Sequence, residues 1–576
     1  MKMKKVLSLL LVAAMSFSLV ACGNNEDEGK KDSNATSENP TENTEETAPV
    51  ELTEDADQYY NTYMASDPTS LDVSLRSDSY SSTIISNVME GLIRLEEIDG
   101  RYVVSAGDAQ TWEANEAGTV WTFHLGDNKW SDGEAVTADQ YVYSLQRSAN
   151  PETGCPNSFF LETLKNYSAI SKGEMEISEL GVKALDGKTL EITLEKPHPA
   201  FLEMCNGSIY YPQRQDIIEA NGDQYGSEAD KTIYNGPYVL ESWTHNSKLV
   251  LKKNPNYWNA ENVKMETVNI SILADTATVE NSYKSGDLDM LGVSSQEAKM
   301  AFHADDSSKY EYSVNSSVTF NFYNTKDVLF KNAKIRKAFS LAIDHEDINE
   351  MCFGGLRVPV WGWVAPNISV GETNFREASG EILLNQYQEL IESGKTAKDL
   401  LLEGMAEEGL GDDPSTLDVT LSLAGTNDWF KTYGEYLQEV YSTELGVTLK
   451  IDFSDWGIFS SNLQSGDYQM GYMSWGAYYN DPYDVLSVFN SEYDQVGTGW
   501  VNEEFNTLIK EAGSEMDEQV RLEKFKQAEK LLFDEAVVCP LAAGTSHSFY
   551  KDYVYGYSTL SFSSNGYKDM YTKGRK

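Results

Sequence analysis

The chain has 576 residues, of which 91 are Asp or Glu and 45 are Lys or Arg, so its formal net charge is −46. This charge repels phosphate groups along most of the surface and argues against nucleic acid as a partner. The length is sufficient for about two or three lobes, each with its own hydrophobic core.

The first 22 residues predict a signal peptide. Three lysines within the first five residues precede an apolar run over residues 6–20, which is too short for an ordinary membrane-spanning helix. The run closes on "LVAC", which resembles the lipobox of bacterial lipoproteins. By that resemblance residues 1–22 are a lipoprotein signal peptide, and Cys22 becomes the lipidated first residue of the mature chain. The alternative is a plain signal peptide with an accidental cysteine.

Residues 23–57 predict a disordered acidic tether. They carry twelve acidic and two basic side chains and almost nothing apolar, so ordering them would bury too little surface to offset the entropy lost. A lipid at Cys22 and this tether would hold a globular body at the outer face of the bacterial cell membrane. No later run is apolar for eighteen residues, so we expect no other membrane span.

Beyond residue 57, short strands and amphipathic helices follow one another without a repeat period. Trp121, Phe123 and Leu125 recur with the period of two that is typical of a half-buried strand, and "KTLEITLEK" and "KLVLKKN" repeat this pattern. After the first of these strands, Thr137 and Gln140 form a capping box that predicts the start of a helix. Mixed α/β lobes follow from these elements.

Two further segments predict helices. In "FKNAKIRKAFSLAID", Ile335, Phe339 and Ala342 lie on one stripe, and the basic side chains, Arg336 among them, lie mostly off it. The segment "EQVRLEKFKQAEKLLFDEA" near the end of the chain has the same helical character.

No motif in the sequence indicates an enzyme, a metal site or a cofactor. The six histidines include no HExxH pattern, and GxSxG, Walker A and GxGxxG sequences do not occur. Pairs of carboxylates are unavoidable among 91 acidic residues, so they carry no information about catalysis. We therefore expect no catalytic residue, no bound metal and no cofactor.

Four cysteines remain after Cys22, and no two of them form a CxxC pair. Zinc-ribbon and thioredoxin chemistry are therefore unsupported. Outside the cytoplasm a disulfide is an open alternative, and the sequence does not determine how these residues would pair: Cys155, Cys205, Cys352 and Cys539.

Several blocks of sequence together resemble one protein family. In order along the chain they are "SDPTSLDVSLRSDSYSSTIISNVMEGLIRL", "VWTFHLGDNKWSDGEAVTADQYVYSLQR", "NGPYVLESW", "LVLKKNPNYW", "YKSGDLDML" and "FKNAKIRKAFSLAID". Their order and spacing are similar to those of the extracellular solute-binding proteins of the oligopeptide- and dipeptide-permease type, family 5. The resemblance covers residues 58–576 and is closest to the oligopeptide-binding proteins.

The resemblance implies an α/β fold of the periplasmic-binding-protein-like type II class. This fold is a three-lobed clam-shell in which a ligand sits in the cleft and draws the lobes together. Crossings of the chain between lobes I and III form the hinge. The implied boundaries are 58–97, 229–325 and 541–576 for lobe I, 98–228 for lobe II and 326–540 for lobe III.

The function implied by the resemblance is that of the membrane-anchored substrate-binding protein of an ABC importer. Such a protein is not an enzyme; it captures oligopeptides and delivers them to a permease with its ATPase subunits. We expect it to be a monomer. Two alternatives stay open: the same fold binding another solute, such as a metal chelate, an oligosaccharide or an opine-like compound, and a receptor that presents a pheromone-like peptide for signalling.

The segment "SWGAYYND" is the part of lobe III that the resemblance places along the cleft. Trp475, Gly476 and Ala477 fall where the family supplies backbone contacts, which bind a peptide without reading its sequence. Tyr478 falls where oligopeptide binders usually carry an aspartate that pairs with the ligand's α-ammonium. A phenol cannot supply that charge, so the resemblance implies a weakened amino-terminal anchor, a blocked or modified peptide, or another solute.

Two acidic residues would replace the missing aspartate if the loop turned differently, Asp481 and Asp484. The alternative is that both are turn residues facing solvent. The aromatic segment itself also has a plainer interpretation, as a hydrophobic wall that packs lobe III on itself.

Four further residues match positions that contact ligand in the family. Asn324 lies at the crossing between lobes I and III, where an Asn that satisfies its own turn backbone is the alternative. Ser79 and Tyr80 match a loop of lobe I, where plain exposed loop residues would be equally ordinary. Asn157 replaces an aromatic residue that is common at its position in lobe II.

Overall fold

A computed structural model of the chain describes residues 53–99, 101–304, 307–562 and 566–576. The predicted signal peptide, Cys22 and residues 23–52 of the predicted tether lie outside the described residues. In the part that is described, no helix is both long and apolar enough to cross a membrane.

The described residues form 21 strands, numbered here in chain order. Their bounds are β1 Tyr59–Met64, β2 Ile93–Ile98, β3 Arg101–Ala106, β4 Ala109–Ala114, β5 Val120–Leu125, β6 Val182–Asp186, β7 Thr189–Thr193, β8 Tyr238–Thr244, β9 Lys248–Lys253, β10 Thr267–Ile272, β11 Met290–Gly292, β12 Ser308–Tyr323, β13 Val358–Pro359, β14 Ser369–Val370, β15 Thr373–Asn374, β16 Val419–Ala424, β17 Leu449–Ser454, β18 Met470–Gly476, β19 Val538–Lys551, β20 Val554–Tyr555 and β21 Tyr571–Thr572.

The same residues form 17 α-helices, several of them a single turn long. Their bounds are α1 Ser79–Val88, α2 Ala138–Ala149, α3 Tyr167–Ser171, α4 Phe201–Met204, α5 Gln215–Asn221, α6 Thr276–Ser285, α7 Gln296–His303, α8 Ala333–Leu341, α9 His345–Phe353, α10 Phe375–Ser379, α11 Ile382–Glu392, α12 Ala397–Glu407, α13 Asp428–Glu444, α14 Trp456–Ser465, α15 Pro482–Leu486, α16 Glu503–Ala512 and α17 Glu518–Asp534.

The described strands form three larger sheets and three two-stranded ones, β2-β3, β14-β15 and β20-β21. A four-stranded sheet has the order β1-β10-β9-β8, and a second has the order β4-β5-β7-β6. A seven-stranded sheet has the order β11-β19-β12-β18-β16-β17, with β13 paired to β19 off that path. Parallel pairs, such as β1 with β10 and β16 with β17, are mixed with antiparallel ones. The predicted mixed α/β architecture is confirmed.

The elements predicted from periodicity are present. β5, β7 and β9 are the three predicted strands, and α2 starts with the predicted capping box, in which Thr137 N–H donates to Gln140 Oε1 at 3.0 Å. α8 buries Ile335 and Phe339 as the stripe predicts. Arg336 differs from the expectation, because it is only 3% exposed. Its guanidinium donates to the main-chain oxygens of Phe330 and Glu535, which satisfies the buried charge.

The hydrophobic core is divided into separate clusters. Cluster one consists of buried residues between Val318 and Ala543. Cluster two consists of buried residues between Tyr60 and Ile270, together with Tyr479, Val554 and Met570. A small cluster three surrounds Phe549. This division suits a chain of several lobes, and the predicted lobe boundaries stay a prediction.

The strands β12 and β19 connect the clusters. The first residues of β12 pack on cluster three, and its last residues belong to cluster one. β19 runs the opposite way, so its first residues belong to cluster one and Phe549 near its end belongs to cluster three. The two strands pair from Ser308↔Lys551 to Phe322↔Val538. Between them the register shifts, because residues 315–317 of β12 lie opposite residue 544 alone. A bulge of this kind bends the paired strands at the passage between clusters.

A buried ion pair links α17 to α10. Glu529 is fully buried and pairs with Arg376, which is 8% exposed. The same carboxylate accepts the backbone N–H groups of Trp363 and Val364 at 2.8 and 3.0 Å and the hydroxyl of Ser379 at 2.9 Å. These hydrogen bonds satisfy both carboxylate oxygens, which is the condition for burying the charge.

We expect the substitution Glu529→Ala to lower the free energy of unfolding by about 3–5 kcal/mol, because it leaves the Arg376 charge buried without its partner. Urea denaturation followed by circular dichroism measures this change. The matched control is Glu523→Ala on the same helix, whose pair with Lys526 is solvent-exposed and worth about 0–1 kcal/mol. Equal stabilities of the two variants would contradict a structural role for the buried pair.

Candidate functional site

A cavity of about 680 Å³ lies where clusters one and two meet. Its volume is within the range of small-molecule binding sites, which is roughly 300–1,000 Å³. The lining comes from distant parts of the chain, residues 76, 79, 82, 83, 86, 95, 160, 203, 204, 206–211, 315–317, 476–479, 561, 562 and 566. A smaller cavity of about 270 Å³ shares Asn315 and Ser561 with it.

One wall of the cavity is a face of α1 covered with hydroxyl groups. Ser79, Ser82, Thr83 and Ser86 all line the cavity, and their spacing of i, i+3, i+4 and i+7 places them on one side of the helix. The opposite side of α1, with Ile84, is buried in cluster two. The amphipathic helix therefore turns its polar face, and not its apolar face, towards the cavity.

The opposite wall is the end of β18 and the residues that follow it. Gly476 is the last residue of β18 and pairs with Ser317 of β12. The next residue continues this pairing, since Ala477 N–H donates to Ser316 O at 2.8 Å. The bulge in β12 therefore lies directly against the end of β18, and both line the cavity.

Two tyrosines after β18 bring the walls into contact. The ring of Tyr478 meets the ring of Phe160 edge to face, with 4.6 Å between centroids. Tyr478 is nevertheless 58% exposed. Tyr479 is buried and belongs to cluster two, although the strand before it belongs to cluster one. These contacts join the two sides of the cavity at one end.

A buried ion pair fixes the segment beyond the tyrosines. Asp481 is 2% exposed, and its two oxygens accept from the guanidinium of Arg521 at 2.5 and 2.9 Å. It also caps α15 by accepting Tyr483 N–H at 2.8 Å. Burial raises the pKa of Asp481, and the Arg521 charge opposes that rise. Both oxygens of this carboxylate are therefore already bound by a protein group, the guanidinium of Arg521.

Asp484 accepts a hydrogen bond from the backbone of Tyr478, a residue that lines the cavity. Its Oδ2 accepts Tyr478 N–H at 2.6 Å. Burial raises the pKa of Asp484 to about 7, although hydrogen bonds from the backbone of Tyr478 and Tyr479 oppose the rise. Its carboxyl group therefore holds the main chain of the two tyrosines.

The described lining contains two charged side chains of opposite sign. Arg76 lies just before α1 and donates to Ser208 Oγ at 2.7 Å and to Ser82 Oγ at 2.9 Å. Burial lowers the pKa of this guanidinium. Glu203 lies on α4, and burial raises the pKa of its carboxyl group to about 8; the charge of Asp481 adds to the rise and that of Arg521 opposes it.

The structure brings four of the nine predicted ligand-binding residues to the cavity: Ser79, Gly476, Ala477 and Tyr478. Tyr80 and Trp475 are adjacent in sequence to these residues, but they pack against clusters two and one. The indole N–H of Trp475 is buried and has no hydrogen-bond partner among the described residues. Ligand contacts by all nine residues stay predictions.

The remaining three predicted residues bond the protein's own groups. Asp481 pairs with Arg521, as described above. Asn324 donates to the main-chain oxygens of Gly466 and Tyr468 at 3.0 and 2.9 Å, and its own Oδ1 accepts Lys326 N–H. Asn157 donates to Arg76 O at 2.9 Å, so it supports a residue that lines the cavity.

Sequence reasoning did not find Arg76, Glu203 or Phe160. The hydroxyl spacing along α1 was a signal that could have pointed to this helix face. Glu203 lies on a helix of only four residues, Phe201–Met204, whose sequence has no periodic pattern. Its position at the cavity depends on packing between distant segments.

Cys155, Cys205, Cys352 and Cys539 are all buried free thiols. The disulfide that the sequence left open is therefore absent between these four residues. In the described part of the chain, no three His, Cys, Asp or Glu side chains are grouped so that they could hold a metal ion.

Comparison with known proteins identifies similar chains over most of the length. Residues 104–496 match the model of "Bacterial extracellular solute-binding proteins, family 5 Middle". The oligopeptide-binding protein OppA of Bacillus subtilis is 30% identical over 84% of this chain and 86% of that protein. The dipeptide-binding protein DppE of the same organism is 28% identical over 94% of each chain. These relatives are named as binding proteins and not as enzymes.

Solved structures show the same fold. The substrate-binding domain of an oligopeptide ABC transporter from Bacillus anthracis matches 90% of this chain and 99% of its own, with 29% identity and a TM-score of 0.72. Listeria monocytogenes OppA, solved with bound peptide, matches 90% of this chain and 99% of its own, with 26% identity and a TM-score of 0.71. The predicted periplasmic-binding-protein-like type II fold is confirmed.

We expect the substitution Asp484→Asn to stabilise the protein at neutral pH. An aspartate in an unfolded chain has a pKa of about 3.9, so the raised pKa of Asp484 makes the folded state bind a proton more tightly than the unfolded state. The stability contributed by this group is complete below about pH 4 and is lost as the pH rises to about 7. The variant avoids that loss, because its side chain stays neutral.

Thermal unfolding of both proteins at about pH 4 and about pH 7.5 tests this expectation. The gain in Tm of Asp484→Asn over the wild type should be larger at the higher pH. The matched control, Asp452→Asn, removes an exposed carboxylate on β17 and should show no such difference. A gain that is independent of pH would contradict the raised pKa.

Proposed function

Because the chain belongs to the bacterial extracellular solute-binding proteins of family 5, we propose that it is the substrate-binding protein of an ABC importer. It captures oligopeptides in the cavity between clusters one and two and delivers them to a membrane permease with its ATPase subunits. The relatives that carry this proposal are named as dipeptide- and oligopeptide-binding proteins.

The observation that best supports a peptide as ligand is the incomplete pairing of β18. Its partner β16 pairs with Met470 and Gly471 only, so among the described residues the strand from 472 to 476 has β12 on one side and no strand on the other. Gly476, at the end of this segment, lines the cavity. An extended peptide can add to such an edge through main-chain hydrogen bonds, which do not depend on its sequence.

The cavity walls suit a ligand of variable side chains. Hydroxyl groups on α1 can donate or accept hydrogen bonds and can rotate to suit either role. The aromatic rings of Phe160, Tyr211 and Tyr478 offer apolar surface with few torsions to restrict. This combination supports binding that tolerates many peptide sequences.

We propose that the two sides of the cavity move relative to each other about the passage of β12 and β19. The bulge at residues 315–317 interrupts the regular pairing at this passage. The contact between Tyr478 and Phe160 then forms when the sides approach, so that a captured peptide is enclosed.

A membrane anchor completes the proposal. Lipidation of Cys22 would hold the protein at the outer face of the bacterial cell membrane. The predicted tether 23–57 is shortened to residues 23–52 in this proposal, because Glu54 pairs with Lys573 and Asp55 N–H donates to Thr572 O at 3.0 Å. A monomer held in this way can reach a permease in the same membrane.

We expect the purified protein to bind tripeptides, and we expect a cavity-filling variant to lose this binding. Ser79→Trp places an indole in the cavity and should weaken the affinity for an equimolar tripeptide library by at least about tenfold, a change of about 1.4 kcal/mol. Native mass spectrometry and ligand-induced thermal shifts measure the binding. Ser77→Trp, on an exposed residue outside the lining, is the matched control.

Several results would count against the proposal. Native spectra that show a metal chelate, an oligosaccharide or an opine-like compound in the protein, and no response to tripeptides, would assign another solute. Equal loss of binding in Ser77→Trp and Ser79→Trp would indicate that the peptide does not bind in the cavity.

The anchor is tested separately by the substitution Cys22→Ala. We expect the protein to leave the membrane fraction and enter the medium with its peptide affinity unchanged, because the lipid only holds the protein in place. Cell fractionation and titration of the released protein measure the two effects. Ser16→Ala, within the same leader, is the control that should stay in the membrane fraction. Wild-type protein found in the medium would indicate a plain signal peptide.

A further inference from the structure

We infer that Glu203 binds the ammonium group and Arg76 the carboxylate group of a zwitterionic peptide in the cavity. This inference rests on the proposed function, because it takes a peptide as the ligand. It assigns the two ends of that ligand to charged residues on the wall that faces β18.

The first observation is the composition of the lining. Among the described residues that line the cavity, Arg76 and Glu203 carry the charged side chains, one of each sign. The rest of the lining is polar without charge or apolar. A ligand with one positive and one negative end is complementary to such a surface. A singly charged ligand would leave one of the two side chains without a ligand group of opposite charge.

The second observation is the state of Glu203. Its Oε2 is buried and has no hydrogen-bond partner among the described residues. A buried carboxylate oxygen without a donor is costly, since it has lost its water and gained nothing in return. Glu203 lines the cavity, so an ammonium group bound there can donate to its carboxyl group and favour the ionised form.

No neighbouring cation forms an ion pair with Glu203 among the described residues. Arg521 is the cation that acts on it, and this guanidinium is already engaged by both oxygens of Asp481. His198 lies in the same region, but burial lowers its pKa to about 3, so its ring is neutral. Neither ring nitrogen of His198 has a hydrogen-bond partner among the described residues.

Arg76 forms no ion pair with a carboxylate in the described part of the chain, although the charge of Asp78 acts on it. Its guanidinium is held by two neutral hydroxyl groups, Ser208 Oγ and Ser82 Oγ, both of which line the cavity. Hydroxyl groups orient the guanidinium without neutralising its charge. A ligand carboxylate can therefore form the charge-assisted hydrogen bonds that the protein does not provide.

The wall that carries Tyr478 does not offer an alternative anchor for the ammonium group. Asp481 is paired with Arg521, and Asp484 accepts the backbone N–H of Tyr478. Neither carboxylate lines the cavity. The acidic group for the ligand therefore comes from α4, across the cavity from β18.

The test compares an equimolar tripeptide library in three forms: with free ends, with acetylated amino ends and with amidated carboxyl ends. We expect the wild type to bind the free library about ten- to hundredfold more tightly than either blocked form, which is the range for a lost hydrogen bond to a charged group. Glu203→Gln should abolish the preference for a free amino end only. Arg76→Gln should abolish the preference for a free carboxyl end only.

Two control variants match these changes in charge. Glu191→Gln on β7 and Arg101→Gln on β3 lie outside the cavity lining and should keep both preferences. The comparison of the three libraries on the wild type needs no variant, so it stands even if a substitution impairs folding. A wild type that binds the acetylated library as tightly as the free one would overturn the role of Glu203, and equal binding of the amidated library would overturn that of Arg76.

The outcomes separate this inference from the proposed function. Binding of all three libraries with equal affinity would leave a peptide-binding protein and overturn the charge assignment. Absence of binding in all three forms would overturn the proposed function itself.

Proton release gives a second and independent measurement. With a pKa of about 8, the Glu203 carboxyl group is mostly protonated at about pH 7 before binding, while a peptide amino group with a pKa of about 7.7–8.0 is mostly charged. Contact with ammonium favours the carboxylate, so binding should release up to about one proton. Calorimetry in phosphate and in Tris buffers measures this release, which should disappear in Glu203→Gln. Unchanged release in that variant would contradict the assignment.

Discussion

The antiparallel pairing of β12 with β19 is the interaction on which the rest of the structure depends. Both strands pass from one hydrophobic cluster to another, so their ladder of hydrogen bonds fixes how the clusters are placed. The register shifts at residues 315–317 and again between Thr319 and Phe320, so the irregular part of the ladder lies at the passage between the clusters. The cavity opens at this passage.

Separate cores explain why a cavity of this size persists. The side chains of each hydrophobic cluster pack against one another. The surfaces that line the cavity therefore need not interdigitate to complete either core. Those surfaces are a hydroxyl-covered helix face and the end of a strand with an incomplete partner. Tyr479 is the exception, because it leaves the strand of one cluster and is buried in the other. Contact between the sides is thus made by a few aromatic residues.

Charge is distributed unevenly between the two walls. On the wall that follows β18, Asp481 is neutralised by Arg521 and Asp484 supports the backbone. Elsewhere in the lining, Glu203 and Arg76 form no ion pair among the described residues, although Arg521 and Asp78 act on them electrostatically. In a partly buried site such groups interact more strongly with a ligand than exposed charges do, because less water screens them. These two side chains are therefore the ones equipped to recognise charged ends.

Periodicity and motif order by themselves determined the mixed α/β class, the family and several elements, including β5, β7 and the capped start of α2. The family resemblance also placed Gly476, Ala477 and Tyr478 in a segment that lines a cavity. The strands and the capped helix start are local features, because each depends on residues close together in sequence. The role of Asp481 could not be predicted in this way. Its partner Arg521 lies forty residues further along the chain, and nothing near Asp481 in sequence indicates the pair.

Only the tertiary structure decided which charges meet the cavity. Arg76, Glu203 and Phe160 all line the cavity, although they lie far apart along the chain and no sequence spacing relates them. Sequence patterns do not reveal such positions, because the burial and charge environment of a side chain are set by groups that are distant along the chain and near only in the fold.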